Sequence, residues 1–459
     1  MKKLFVALLF FPLLALSQEK RPNIIFILAD DLGSRDCGFT GSDYYETPNI
    51  DQLAKEGMVF SNAYSGASNC APSRACMLSG QYTPRHGVYA VDETDRGPKD
   101  KMRLTPVPNT QELDLSIYTI PEALKDAGYT TALFGKWHLG EDNEHLPGRQ
   151  GFATFFDARW KKNNAAFNTP DDPKSIYTVT RAGCNYMKEK KDSSFFLFLS
   201  YHAPHFPLEA RPSSLQKFRD KTAGNHHNDA LYAACVYDLD DGIGQVLRCL
   251  DSLGLSENTL VIFTSDNGST NVSSSWPLRA SKGTYYEGGI RAPLIIKWPG
   301  RIAVNSQCVL PVINVDFYPT FLAAAGVEKR KDQILDGENL LPVLSGGSKT
   351  LERACIFWHF PGYLDRPTPE GRDQLFRARP LTAVRKGDWK LILYHEEWLL
   401  DGGKKNVGTN NSVELYDLKD DEGETKNLAN ENISMRDELI QAIEDWWKAT
   451  GAVLPSAKQ

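Results

Sequence analysis

An α/β fold, built on a large and mostly parallel sheet sandwiched by helices, is the architecture this 459-residue sequence predicts. A smaller C-terminal subdomain of antiparallel sheet plus helix follows it. Three observations carry the prediction. Near-continuous apolar runs recur at 23–29, 194–201 and 259–264, as expected of strands buried on both faces. Helical patterns alternate with them, and that order implies parallel strands joined by crossover helices. Beyond about residue 350 the texture changes to short β-like runs between turn-rich loops.

The chain opens on Met1-Lys2-Lys3, then an apolar run over 4–16, then Ala15-Leu16-Ser17 before Gln18. This is the layout of a signal peptide, expected over 1–17, and it predicts a secreted or periplasmic protein. An apolar run of about 13 residues is short of the ~20 a membrane span needs, and no second long run exists, so no stable membrane span is expected. Residues 23–29 read as the first strand. Residues 48–57 read as a helix stopped by Gly57, and 59–63 as a second strand. A helix begins near Cys70, where Pro72 suits its first turn, and stops at Gly80. A helix over 120–127 closes at Gly128 and leads into a strand at 129–134. Strands at 194–201 and 259–264 flank a long helix over 229–253. These elements define an N-terminal α/β domain over 18–348. Runs at 353–358, 381–384, 389–394 and 413–417, with a helix over 434–449, define a C-terminal α+β subdomain over 349–459.

Composition narrows the function classes. Hydrophobic content of 41% and charged content of 24% are those of an ordinary globular protein. A net charge of −6 offers no footprint for nucleic acid. The eight cysteines are scattered without paired spacing, which is neither a zinc pattern nor a dense disulfide framework.

The polar residues at the strand ends carry the chemistry. The first strand ends in Asp30-Asp31 and the strand at 259–264 in Ser265-Asp266-Asn267-Gly268. In open α/β sheets ligands bind beyond the carboxyl ends of the strands. Adjacent aspartates repel unless a cation lies between them. Three carboxylates and an amide oxygen are hard ligands suited to calcium or magnesium. In Cys70-Ala-Pro-Ser-Arg74-Ala-Cys-Met-Leu-Ser-Gly80, Arg74 returns to the helix end that carries Cys70, making a place for an anion. Gly135-Lys136-Trp137-His138-Leu139-Gly140 follows the strand at 129–134. An extended backbone there would aim Lys136 and His138 the same way and turn Trp137 to the core. Tyr201-His202-Ala203-Pro204-His205-Phe206-Pro207 holds a histidine between prolines that favour extended backbone. In the block from Lys282 to Pro293, Glu287 and Arg291 bracket a Gly-Gly turn as a structural pair.

The Cys70 string resembles the sulfatase signature Cys-x-Pro-Ser-Arg followed by Leu-[Thr/Ser]-Gly. The Gly-Lys-Trp-His-Leu-Gly and Lys-x-x-x-x-Glu-Gly-Gly-x-Arg-x-Pro blocks match the same family, in its own order, over roughly residues 22–300. The chain is thus identified as similar to formylglycine-dependent sulfatases of the alkaline-phosphatase-like superfamily, secreted bacterial polysaccharide sulfatases among them. That resemblance implies that a formylglycine-generating enzyme oxidises Cys70 to 3-oxoalanine (formylglycine), whose hydrate is the nucleophile. It implies one calcium ion, Ca2+, held by Asp30, Asp31, residue 70, Asp266 and Asn267. Arg74, Lys136 and Lys282 are then expected to hold the sulfonate. His205, in preference to His202 and together with Lys282, protonates the leaving group, and His138 takes the proton that releases sulfate. The family's serine contact to sulfate has no assigned counterpart in 151–193. A phosphonate monoester or phosphodiester hydrolase using the same nucleophile is the alternative, and a secreted carbohydrate-binding protein with an inactive site the more distant one. The expected substrate is a sulfated poly- or oligosaccharide. The aromatic and charged stretches around His359, around Arg377 and Arg379, and at Glu396-Glu397-Trp398 are candidate sugar contacts.

Overall fold

The structure, a computed structural model, describes residues 21–140, 142–157 and 169–458. The expected signal peptide lies outside the described residues, as does part of 151–193.

An eight-stranded sheet forms the larger layer. Its order is Ser306–Cys308, Met58–Phe60, Leu294–Lys297, Thr259–Ser265, Asn23–Asp30, Phe195–Pro204, Thr130–Gly135, Thr154–Phe156. Only Leu294–Lys297 runs against its neighbours, so the sheet is mostly parallel as expected. The first strand sits centrally, pairing in parallel with Phe195–Pro204 on one side and Thr259–Ser265 on the other. All eight of its residues are buried, which is why it reads as a continuous apolar run and not as an alternating one. One apolar layer packs Phe26, Phe198, Phe317 and Phe321 on one face, and a second gathers Ile25, Ile27, Leu197, Leu199, Tyr232 and Val236 on the other.

The strand expected at 59–63 is two strands. Met58–Phe60 joins the large sheet, whereas Ala63–Tyr64 pairs with Val312–Ile313 in a separate two-stranded sheet. The break falls at Ser61 and Asn62, whose side chains bond the carbonyls of Cys308 and Val309 as the chain changes neighbours. The short strands at 154–156 and 306–308 were invisible to hydrophobic periodicity, since three residues are too few to show a pattern.

The C-terminal sheet is antiparallel, in the order Cys355–Phe360, Leu381–Lys386, Trp389–Tyr394, Val413–Asp417. Helix Ile433–Thr450 packs Leu439, Ile440 and Ile443 on Leu391, Leu393 and Leu415. The sheet's other face meets the larger layer through Trp358, Ala383 and Ile392 against Tyr64, Tyr286 and Ile290. A buried ionic cluster crosses the same junction. Lys390, fully buried, lies 2.9 Å from Glu287 and 2.8 Å from Glu424, while Arg291 holds the second oxygen of Glu287 at 2.8 Å. No helix among the described residues is long and apolar enough to cross a membrane.

Candidate active site

Four strand ends and one helix end converge on a single point. Asp30 closes the central strand, and Asp31 follows with φ +68°, turning the chain sharply there. Its amide donates to Asp266 Oδ1 at 3.2 Å, tying the two acidic strand ends together. Cys70 opens helix Cys70–Ser79, which ends at Gly80 in the left-handed region with its N–H on the Cys76 carbonyl. Every residue of this helix is buried, so its polar groups must find partners inside the protein.

Arg74 finds them on three strand ends. Nε and Nη2 reach Asp266 Oδ2 at 3.0 and 2.9 Å, and Nη1 reaches the Lys136 carbonyl at 2.9 Å and Ser200 Oγ at 2.6 Å. Lys136 follows Gly135, which has φ +115° and whose missing side chain lets the Ser200 carbonyl approach. A Cβ there would lie 1.9 Å from that oxygen. The Lys136 amide then donates to the same carbonyl at 2.8 Å, and its Nζ lies 2.5 Å from Asp30 Oδ2. Lys282 Nζ sits 2.5 Å from Asp31 Oδ1 and 2.9 Å from Cys70 Sγ. Asn267 Nδ2 donates to Asp31 Oδ1 at 2.8 Å.

Two histidines complete the ring of groups. His205 Nε2 is 3.5 Å from Asp31 Oδ2, and His202 Nε2 is 3.8 Å from Asp30 Oδ2. The His205 Nδ1 faces the Phe206 carbonyl at 2.5 Å. A carbonyl only accepts, so Nδ1 carries a proton and Nε2 is the nitrogen that exchanges one at the site.

The electrostatics follow from burial opposed by pairing. Burial raises the Asp30 carboxyl, but Lys136, His205, Arg74 and His202 outweigh it and hold the group well below the usual carboxylate range. Asp266 is pushed up to about 7 by burial and by the Asp30 charge, against Arg74 and Lys136. Burial pushes the Cys70 thiol up to about 12 despite the two lysines, so an unconverted cysteine is a neutral thiol here and a poor nucleophile. Burial lowers the proton affinity of His205, with Asp30 and Asp31 opposing it.

The residues fit a hard divalent cation. Asp30 Oδ1 and Asn267 Oδ1 are buried oxygens with no hydrogen-bond partner among the described residues, a costly arrangement unless a cation takes their lone pairs. Ligand atoms of Asp30, Asp31, Cys70 and His205 lie within 4.8 Å of one another. Asp266 is more heavily engaged than its motif suggested, with Oδ2 on Arg74 and Oδ1 on the Asp31 amide.

The remaining candidates are placed differently. His138 lies at the same strand end, half-buried, but its φ of +69° departs from the extended backbone that was to align it with Lys136; Trp137 is buried as expected. Arg377 donates from Nη1 to the Lys282 carbonyl at 3.0 Å and so lies beside the site. His359 corrects the expectation of a sugar contact. It is 1% exposed on the edge strand Cys355–Phe360, with Nδ1 on Thr382 Oγ1 at 2.8 Å and Nε2 on the Val453 carbonyl at 3.2 Å. Arg379 is corrected likewise, since its guanidinium is spent on Asp373 and Glu396. Sequence reasoning missed Ser200, which donates to the Lys136 carbonyl at 2.6 Å while accepting from Arg74. Its one signal was a polar residue at the end of an apolar run.

Comparison with known proteins agrees with this geometry. The Sulfatase family model matches residues 22–327, and the model described as N-sulphoglucosamine sulphohydrolase, C-terminal, matches 280–448. A sulfatase of Formosa agariphila is 35% identical, covering 95% of this chain and 90% of its own. The N-acetylgalactosamine-6-sulfatase of Mus musculus is 31% identical over 83% of this chain and 74% of its own. The crystal structure of Ps i-CgsB in complex with k-i-k-neocarrahexaose superposes with a TM-score of 0.74 at 27% identity, covering 93% of both chains. With its alkaline-phosphatase-like fold and this constellation of strand-end residues, the chain belongs to the sulfatase family and is a sulfuric ester hydrolase.

Proposed function

We propose that this chain is an exported enzyme that removes sulfate from a sulfated carbohydrate, with residue 70 converted to formylglycine and one calcium ion bound. The observation that carries the reading is the convergence of Arg74, Lys136 and Lys282 on Asp30, Asp31 and Asp266 around Cys70. In this structure Cys70 Sγ occupies the position of the hydroxyl oxygens of the converted residue. Carbohydrate as the substrate class is supported by the oligosaccharide bound in the structural neighbour and by the sugar sulfate in the mouse relative's name. The N-terminal Lys-Lys and apolar run support export.

Three cations face three carboxylates, so the protein's own charges nearly cancel at this point. A divalent ion held by Asp30, Asp31, Asn267 and residue 70 would supply Lewis-acid polarisation of oxygen, and the hydrated aldehyde would supply the attacking hydroxyl. With the ion bound, the site is net positive and complements a sulfate monoester anion. Lys136 and Lys282 are positioned to hold sulfonate oxygens, in the electrostatic role that usually contributes most to such catalysis. Arg74, locked by Asp266 and Ser200, fixes the geometry and faces the helix end. Lys282 keeps its proton firmly, because the Asp31 carboxylate, with Asp30 and Asp266 behind it, offsets the burial that opposes it. It therefore stabilises charge on the departing oxygen, while His205 Nε2 delivers or receives the mobile proton, a step worth ~10²–10⁴-fold. His138 is assigned the proton of the second hydroxyl.

The test compares release of sulfate from 4-nitrophenyl sulfate with hydrolysis of a 4-nitrophenyl phosphonate ester. The mature protein and its Cys70→Ala variant, expressed in a formylglycine-generating host, are assayed side by side. Faster turnover of the sulfate, abolished in the variant, is expected. Preference for the phosphonate, or undiminished turnover by the folded variant, overturns the reading.

A further inference from the structure

The loop between Asn267 and Lys282 leaves the site past the end of strand Thr259–Ser265 and returns to it at Lys282, and a cavity of about 650 Å³ opens along its length. That volume lies within the roughly 300–1,000 Å³ of small-ligand pockets. Resting on the sulfatase reading above, we propose that this cavity is a second sugar subsite, binding an uncharged ring of the substrate beside the sulfated one.

The loop is built as a rigid platform. Ser273 Oγ donates to buried Asp36 at 2.5 Å, and buried His227 donates from Nε2 to the Ser274 carbonyl at 3.1 Å. The loop's return is fixed by the Lys282 amide on the Ser269 carbonyl at 2.7 Å. Between these anchors Trp276 is 61% exposed, and its indole lies flat on the His226 ring, with centroids 4.0 Å apart and planes 5° apart. Stacked on His226 by one face, the indole is held in a fixed orientation as part of the cavity wall. The face of a pyranose is apolar C–H and its rim is hydroxyl. Trp276 matches the face.

The opposite walls match the rim. Asn271 accepts from Ser281 and, at 2.9 Å, from Thr368, so its amide NH2 turns away from both hydroxyls as a paired donor. Thr368 and Glu370 come from the C-terminal part of the chain, so the cavity spans the junction of the two layers. Charge decides which ring it takes. Arg279, the guanidinium in the wall, donates Nε to the Glu370 carbonyl at 2.8 Å, and Nη1 to the Tyr416 hydroxyl and the Glu424 carbonyl, both at 3.0 Å. It also stacks 3.8 Å over Tyr286. A cation so committed does not recruit a sulfate or a uronate, and the Glu370 carboxylate repels one. The subsite thus selects a neutral unit, and Ser281 in its wall directly precedes Lys282 of the active site.

The test uses the mature enzyme and its Trp276→Ala and Trp276→Phe variants. The probes are 4-nitrophenyl sulfate, a set of monosaccharide sulfates, and the tetrasaccharides in which the same sulfated sugars alternate with neutral ones. Trp276→Ala is expected to lower kcat/KM on tetrasaccharide about tenfold or more through KM, and Trp276→Phe to retain most of it. Both are expected to leave aryl sulfate and monosaccharide sulfate turnover within twofold. Equal tetrasaccharide kinetics in wild type and Trp276→Ala overturn the subsite, as does a wild type that gains nothing from the added rings. If aryl sulfate itself is not cleaved, the sulfatase reading fails separately. The subsite is then judged by calorimetric titration with the desulfated tetrasaccharides, where binding lost in Trp276→Ala supports it and its absence in wild type refutes it.

Discussion

Replacing Lys390 with methionine tests how the two layers hold the site together. Lys390 is fully buried and bridges Glu287 and Glu424 at 2.9 and 2.8 Å. Glu287 opens the Gly-Gly turn that ends the segment carrying Lys282, so this cation of the small sheet braces the active-site loop. Methionine fills similar volume, and the perturbation is therefore mainly electrostatic. Glu287 keeps Arg291 at 2.8 Å and Tyr64 at 2.6 Å, but among the described residues the Glu424 carboxylate keeps only the Glu287 amide at 2.7 Å. Stranding one partner of a buried pair costs about 3–5 kcal/mol. The sign of the pH dependence follows from Glu424, whose carboxyl burial and Glu287 raise to about 7, against the pull of Lys390. A carboxyl raised on folding favours the native state at low pH, and this contribution is lost as pH rises from the unfolded value towards 7. Removing Lys390 raises the group further. The variant's deficit should thus be largest near pH 8 and shrink by about 1 kcal/mol near pH 5.5, because the wild-type carboxyl is ionised over only the one pH unit between 7 and 8, at 1.36 kcal/mol per pKa unit. Urea unfolding monitored by tryptophan fluorescence at the two pH values measures it, with circular dichroism as a check on the native fold. A deficit below about 1 kcal/mol at pH 8, or one that grows on acidification, would refute this account of the junction.

Metal removal is the second prediction. Treatment with EGTA should abolish aryl sulfate turnover and calcium should restore it, with a thermal stabilisation of about 2.7 kcal/mol at a hundredfold excess over Kd; an enzyme indifferent to EGTA contradicts the oxygen site. His359→Ala should destabilise the protein by about 3–5 kcal/mol through a cavity and two lost bonds. Saccharide and aryl sulfate kinetics per folded molecule should move together, and a selective loss on saccharide would reinstate His359 as a substrate contact.

Much of the fold was legible because its strands are buried on both faces. Residues 23–29 and 259–264 are near-continuous apolar runs followed within two residues by acids, a contrast that survives without any alignment. Cys70, Arg74, Lys136 and Lys282 were legible as short strings. Their meeting point followed from the rule that parallel strands present their carboxyl ends to one side. What escaped were groups defined only by contact. Ser200 matters because Gly135 lets two strand ends touch, and Lys390 because it meets Glu287 across 103 positions. His359 misled because an aromatic and polar string resembles a binding loop. Here it is an edge strand whose histidine is buried and satisfied at both nitrogens by Thr382 and Val453.

The central claim is most directly tested by the mass of the peptide containing residue 70, from protein made in a host that carries a formylglycine-generating enzyme. The account predicts a peptide about 18 Da lighter than the cysteine form, the aldehyde in place of the thiol. An unmodified thiol at residue 70, in a host that converts a control sulfatase, would contradict it.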